Sequence, residues 1–448
     1  KPAPIRPTPI PRKPQDAAEM LRFFDIDDSL LRQLIDHRPL HDDEGEAIVR
    51  VLFALPKLPA EQVEQWVEKQ PDWDALIAAP HESRTKLFRL SGRVQRVRKV
   101  ALVAEAAERF EFGHYFIADV LLGEDQWKAQ ICAREIPQAW KLDEPIDETV
   151  SLYGMFLKMA DGPVFAANRI AWQPNRVEPT AGVLKDHVFL GDLGMDVGLW
   201  DEVHDRRGLL PTDRECFYQL LAAVGRTKPQ HMAERAAAEF EFADLLRSPD
   251  DFHGRLLTFE GTARRASKIV VGDADIQARL DIDHYYEVYV LVNLKKKIVY
   301  KNDEGKTLEF ATFPVVFCLR ELPEGMPEGD KIREPVRISA VYFKLWAYDA
   351  AKMSGFEPGR QQLCPMLVGV SPEVMPRGTS YNPRVGMLIG GLFAAALVGI
   401  WIGVWRFGVE DAKFERQTLK RQFELESGQS LNEMGLDAKN EPDFRHLQ

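Results

Sequence analysis

Two pairs of cations have the residue types and spacing to hold an anion: Arg96 with Lys99, and Arg265 with Lys268. Arg93, Arg98 and Arg264 lie beside them, and clustered positive charge of this kind would attract phosphate, an acidic glycan or an acidic protein face. Successive strand residues point to opposite faces, so these charges cannot all line one groove, and a solvated face is the plainer expectation. Lys295, Lys296 and Lys297 form a further basic run.

A second candidate is a stretch that occurs twice, Cys132-Ala133-Arg134-Glu135-Ile136-Pro137 and Cys318-Leu319-Arg320-Glu321-Leu322-Pro323. The pairs Arg134/Glu135 and Arg320/Glu321 would either contact a ligand at a barrel rim or form local ion pairs that fix the following loop. The local reading is preferred, since adjacent exposed charges stabilise little and are common at strand ends. His114 and His284 each precede an aromatic pair without a second ligand or nucleophile nearby in sequence, which suits hydrogen-bonded structural histidines.

The four cysteines, Cys132, Cys216, Cys318 and Cys364, form no CxxC, no CxxCH and no Cys/His cluster, so neither attached haem nor structural zinc is expected. Cys132 and Cys318 fall in apolar runs and read as small buried hydrophobes. GxSxG, P-loop and HExxH patterns are absent. No catalytic residue, metal ligand or cofactor is therefore assigned.

The elements that must position these residues come in duplicate. An offset of 169 lays Ile26-Asp27 on Met195-Asp196, Asp36 on Asp205, Arg38 on Arg207, Glu46 on Glu215, Pro80 on Pro249 and Gly92 on Gly261. So many matches in one register indicate an internal duplication. At the cysteines the offset is 186 (318 minus 132), so the second copy carries an insertion that lengthens one hairpin, with arms Leu291 to Tyr300 and Thr307 to Phe317.

Each copy starts with helical periodicity, read as three short helices, and then switches to a period of two. Three strands, a short connecting element and two more strands resemble the OB-fold, a five-stranded, partly open barrel. The expected fold is α+β: two tandem copies of a helical segment plus a small five-stranded OB-like β-barrel, followed by one transmembrane α-helix. Residues 1–22 are a Pro-rich tether, 23–178 the first repeat (helices 26–80, barrel 87–173) and 179–191 a linker. Residues 192–371 are the second repeat (helices 196–248, barrel 255–371) and 372–384 a second linker.

Val385 to Val404 is a run of twenty uncharged, mostly apolar residues, long enough to span a bilayer. Arg377 and Arg384 precede it, while Arg406, Lys413, Arg416, Lys420 and Arg421 follow, so the charged tail 405–448 is expected in the cytoplasm and the large amino-terminal region outside it. The sequence starts at Lys1, which fits a removed signal peptide or a further upstream anchor equally well. Gly391, Ala395, Gly399 and Gly403, with Gly386 and Gly390, make a small-residue stripe suited to packing another membrane helix or a second copy.

The 448 residues are 45% apolar and 28% charged, a folded-protein composition for two or three domains. A net charge of -11 argues against a general nucleic-acid binder. The preferred expectation is a non-enzymatic, single-pass scaffold in the cell envelope that meets other envelope proteins and the lipid bilayer. The alternatives are a barrel-type binder of an anionic polymer, glycan or nucleic acid, and an envelope enzyme without a recognisable motif.

Overall fold

A computed structural model describes residues 14–376, apart from 238, 302–306 and 350–360, together with 392–398 and 400. Residues up to Pro376 form one compact unit, and the remainder a second. The tether's first thirteen residues and the tail 405–448 lie outside the described residues. So does most of the 385–404 run, including Gly386, Gly390, Gly391, Gly399 and Gly403; 392–398, with Ala395, is helical and exposed. Among the described residues no helix is long and apolar enough to cross a membrane.

The first unit is mixed α and β, with two sheets of seven and six strands. The long strands of the first are β1 (Leu87–Ala101), β2 (His114–Leu122), β3 (Trp127–Glu135), β4 (Glu148–Met159) and β5 (Pro163–Arg169). Those of the second are β6 (Leu256–Val270), β7 (His284–Lys301), β8 (Thr307–Leu319), β9 (Glu334–Asp349) and β10 (Gln361–Gly369). The spatial order β1-β2-β3-β5-β4 closes through β1 on β4, and β6-β7-β8-β10-β9 closes through β6 on β9. In each ring one long-strand contact is parallel, β3 on β5 and β8 on β10.

The duplication extends to irregularities. The first strand of each ring is bulged at matched positions, between Val94 and Arg96 and between Ala263 and Arg265. Gly92 and Gly261 sit where a Cβ would meet the carbonyls of Leu121 and Leu291 at 2.1 and 2.3 Å, so only glycine lets the neighbouring strand come so close. The inserted residues lengthen the β7–β8 hairpin as the offset indicates.

Two helices go beyond the sequence expectation. Ala104–Phe110 and Ala274–Leu280 lie between the first and second strands of each ring and end on left-handed residues, Glu111 and Asp281. The stretch expected as a linker carries the helix Lys185–Asp192, whose Phe189 and Leu190 are buried. It matches Ala17–Arg22 at the same offset (186 minus 17), so the duplicated unit starts upstream of residue 23.

A second bulge, between Phe156 and Lys158 in β4 and between Tyr342 and Lys344 in β9, sends two successive side chains toward the helices. The second of each pair is a lysine with no exposed surface. Lys158 Nζ lies 2.5 Å from Glu44 Oε1, and Lys344 Nζ lies 2.7 Å from Asp213 Oδ2. Each carboxylate also accepts backbone N–H groups from matched residues: Ile35 and His41 on Glu44, His204 and Leu210 on Asp213. The lysines are 186 apart and the carboxylates 169 apart (344 minus 158, 213 minus 44), the same offsets as the flanking sequence.

Among the described residues three apolar clusters make up the core. One joins the helices of the first copy to the outer face of its ring through Cys132, Met155 and Leu157, and another fills the second ring with Phe259, Phe317 and Tyr342. The largest is continuous between the copies, running from Phe88, Phe156 and Phe165 of the first ring to Leu199, Phe217 and Leu220 of the second copy's helices and on to Phe343 and Met366. At the boundary Arg169 Nε lies 2.6 Å from Asp196 Oδ2, whose other oxygen accepts the N–H groups of Trp172 and Gly198. Burial pushes the Asp196 carboxyl up despite that guanidinium.

Removing one partner of a buried pair leaves an uncompensated charge, which costs about 3–5 kcal/mol. Lys158→Met and Lys344→Met are each expected to lower unfolding free energy by that order in urea titration. Lys99→Met, at an exposed position, should stay within about 0.5 kcal/mol. A buried-lysine variant as stable as the parent would contradict the assignment.

Candidate functional site

The first ring carries a cleft of about 500 Å³ on its outer face. Gln95 and Arg98 of β1, Asp119 and Leu121 of β2, and Lys128 and Gln130 of β3 form its floor and walls, with Asp161 and Gly162 of the β4–β5 turn at one edge and Pro39 and Leu40 at another. Alternation along the β2–β3 hairpin puts Asp119, Leu121, Lys128 and Gln130 on one face. Gln130 Nε2 donates to Asp119 Oδ1 at 3.0 Å. Gly162 lets the turn close on the sheet, since a Cβ there would stand 2.0 Å from the Lys128 carbonyl oxygen.

Two cations, two carboxylates and two amides around apolar carbon can bind a chain with both charges and backbone amides. The polar pair at its floor is not repeated in the second copy. The positions matching Asp119 and Gln130 are Tyr289 and Val316, directly paired in register as their counterparts are, and Val316 is fully buried.

The cations singled out by sequence do not assemble into one groove. Arg96 and Lys99 are both exposed but three residues apart on a strand, hence on opposite faces. Arg265 lies 3.0 Å from Asp330 and over the Tyr289 ring, and Lys268 is exposed. Arg134 stacks on Phe112, whereas Glu135 turns to Arg169 at 3.3 Å and so joins the boundary between copies. Arg320 donates to the Asp281 carbonyl, and Glu321 is exposed. Lys296 meets Glu241 at 2.5 Å, Lys295 is exposed, and the side chain of Lys297 lies outside the described set.

All four cysteines are free and buried. Burial pushes the Cys132 thiol up to about 12 and raises the others, so they remain protonated at neutral pH. His284 pairs with Asp283 at 2.6 Å, and burial lowers His114.

Among the described residues one group could hold a metal ion: Asp205, Asp250 and His253, with one ligand atom from each within 4.8 Å of the others. His253 Nε2 lies 2.9 Å from Asp205 Oδ2. Asp205 is held down by His253, and Asp250 is pushed up by the adjacent Asp205 carboxylate. Sequence reading missed this group because Asp205 lies 45 residues before Asp250 (250 minus 205) and only the fold brings it to the Asp250/His253 turn; the signal was the same offset, which sets His253 on Arg84. No protein-family model matches the chain, and no curated protein matches it in sequence.

His187 ties the group to the preceding helix. Its Nδ1 accepts from the Leu184 N–H at 3.1 Å, and its Nε2 faces the His253 carbonyl oxygen at 2.8 Å. This pattern requires the neutral ring, and burial lowers its pKa. The folded state then binds fewer protons than the unfolded one, so this stability is present in full above the unfolded value of about 6.5 and is lost as pH falls below it. The melting temperature is expected to drop between about pH 7 and 5.5, with a shallower slope in His187→Gln. An unchanged slope in that variant would contradict the assignment.

Proposed function

We propose that this chain is a membrane-anchored interaction module, with the cleft on the first ring as its docking site for an extended polypeptide segment. The observation that carries this reading is the cleft's lining: Arg98 and Lys128 stand with Asp119 and Asp161 around Leu40 and Leu121, a mixed-charge, partly apolar surface on the sheet face. Strand order and the single parallel contact in each ring support an OB-like barrel, a fold whose second and third strands commonly present the ligand face. The cleft lies on the strands of that rank, β2 and β3. The uncharged run Val385 to Val404 supports a single span, with the basic residues after it favouring a cytoplasmic tail. The small-residue stripe from Gly386 to Gly403 would bring a neighbouring helix or a second copy close.

A second reading, an anionic polymer in the same cleft, draws on Arg98 and Lys128. Salt separates the two, because binding of a polyanion falls steeply with ionic strength and a mixed-charge peptide contact much less.

Isolation from membranes in mild detergent, with a photo-crosslinking residue at Gln130, is expected to yield one partner chain. Arg98→Glu with Lys128→Glu should weaken its capture by at least about tenfold, roughly 1.4 kcal/mol. Migration as a lone monomer, or equal crosslinking from the exposed position Glu260, would remove the docking assignment. Protease added to sealed vesicles should reach the tail and the rings from opposite sides; cleavage of both from one side would remove the span.

A further inference from the structure

The two copies solve one charge problem differently. In the first, Arg84 fills a niche beside the β4 bulge: its Nη2 lies 2.7 Å from Asp36 Oδ2, its Nη1 donates to the Leu31 carbonyl and its Nε to the Leu157 carbonyl. The guanidinium gives Asp36 a permanent counter-charge. The other Asp36 oxygen accepts the Met159 N–H, and the matched Asp205 accepts the Leu345 N–H.

In the second copy His253 replaces Arg84. Trp200, matched to Leu31, takes over one of the arginine's bonds by directing its indole N–H to the Phe343 carbonyl, the counterpart of Leu157. The permanent charge is not replaced. Instead a second carboxylate, Asp250, stands where the first copy has His81, so two carboxylates and an imidazole converge. The Asp205 side chain is only 5% exposed, yet its Oδ2 and the facing His253 Nε2 make no well-directed hydrogen bond. Arg206, the nearest guanidinium in sequence, donates to the carbonyls of Leu246 and Arg247 rather than to this pair. Two carboxylates therefore share one imidazole where Asp36 alone has a guanidinium, and a divalent cation between the three would balance the buried charge.

We propose that Asp205, Asp250 and His253 bind a divalent transition-metal ion, with Zn²⁺ the best chemical match, in the niche that Arg84 fills in the first copy. One imidazole and two carboxylates form a three-ligand set of the kind zinc accepts, leaving a further position to water. The Leu345 N–H orients Asp205 from behind, as outer-shell donors do for metal-binding carboxylates. Asp250, exposed on the turn Pro249–Phe252, can close on the ion without disturbing the core.

The test uses the full chain and Zn²⁺ alone, read by calorimetric titration and by melting temperature. One equivalent should bind and raise the melting temperature. His253→Arg restores the residue type of the first copy, so it should fold while losing at least about a hundredfold in affinity. Asp250→Asn, at an exposed position, should weaken binding by at least about tenfold. Zn²⁺ binding of equal strength in His253→Arg would overturn the proposal. So would failure of the parent to bind Zn²⁺, which would leave a proton as the missing positive charge.

Discussion

A lysine ammonium buried without water is tolerated only where a carboxylate meets it, and in this chain the ammonium and the carboxylate come from different parts of each copy. Lys158 and Lys344 sit on the fourth strands of their rings, while Glu44 and Asp213 arise from the helical segments. Neither part can bury its charged group alone, so ring and helices must come together in one register. The bulge before each lysine is the backbone counterpart of this constraint, since strict alternation would carry the lysine to the ring interior. The carboxylates also bind the N–H groups of the loop ahead of their helices, so one pair orders strand, helix and loop.

A buried ion pair and shared apolar packing also hold the boundary between copies. The first ring's interior and the second copy's helices belong to one apolar cluster, and the Arg169–Asp196 pair is sealed beside it. Asp27, the residue matching Asp196, caps a short helix near the surface, whereas Asp196 caps Val197–Glu202 and also binds Arg169. In one copy the cap thus doubles as an anchor for its neighbour. The copies have likewise diverged at the cleft and at the Arg84/His253 niche, which concentrates chemical differences at a few positions on a shared frame.

Much of this frame was legible in sequence. The constant offset pairs elements of one ring with those of the other, alternation located the strands, and Gly92 and Gly261 stand at matched positions in them. The lengthened hairpin followed from the change in offset at the cysteines. The helices Ala104–Phe110 and Ala274–Leu280 were not legible as such, because seven residues give too little periodicity beside long strands. Arg96 and Lys99 are near in sequence but point apart, as strand alternation implies. No local pattern marks the buried lysines, whose partners lie more than a hundred residues away. The cleft and the Asp205, Asp250 and His253 group likewise depend on long-range closure of the rings, which local patterns do not report.

The central claim is that both copies form a single cooperative unit, locked by the buried ammonium pairs and the shared core. Urea unfolding of residues 14–376, followed together by tryptophan fluorescence and far-ultraviolet circular dichroism, tests it most directly. The account predicts one transition with coincident midpoints. Two separated transitions, or an independently folded fragment 14–178, would contradict it.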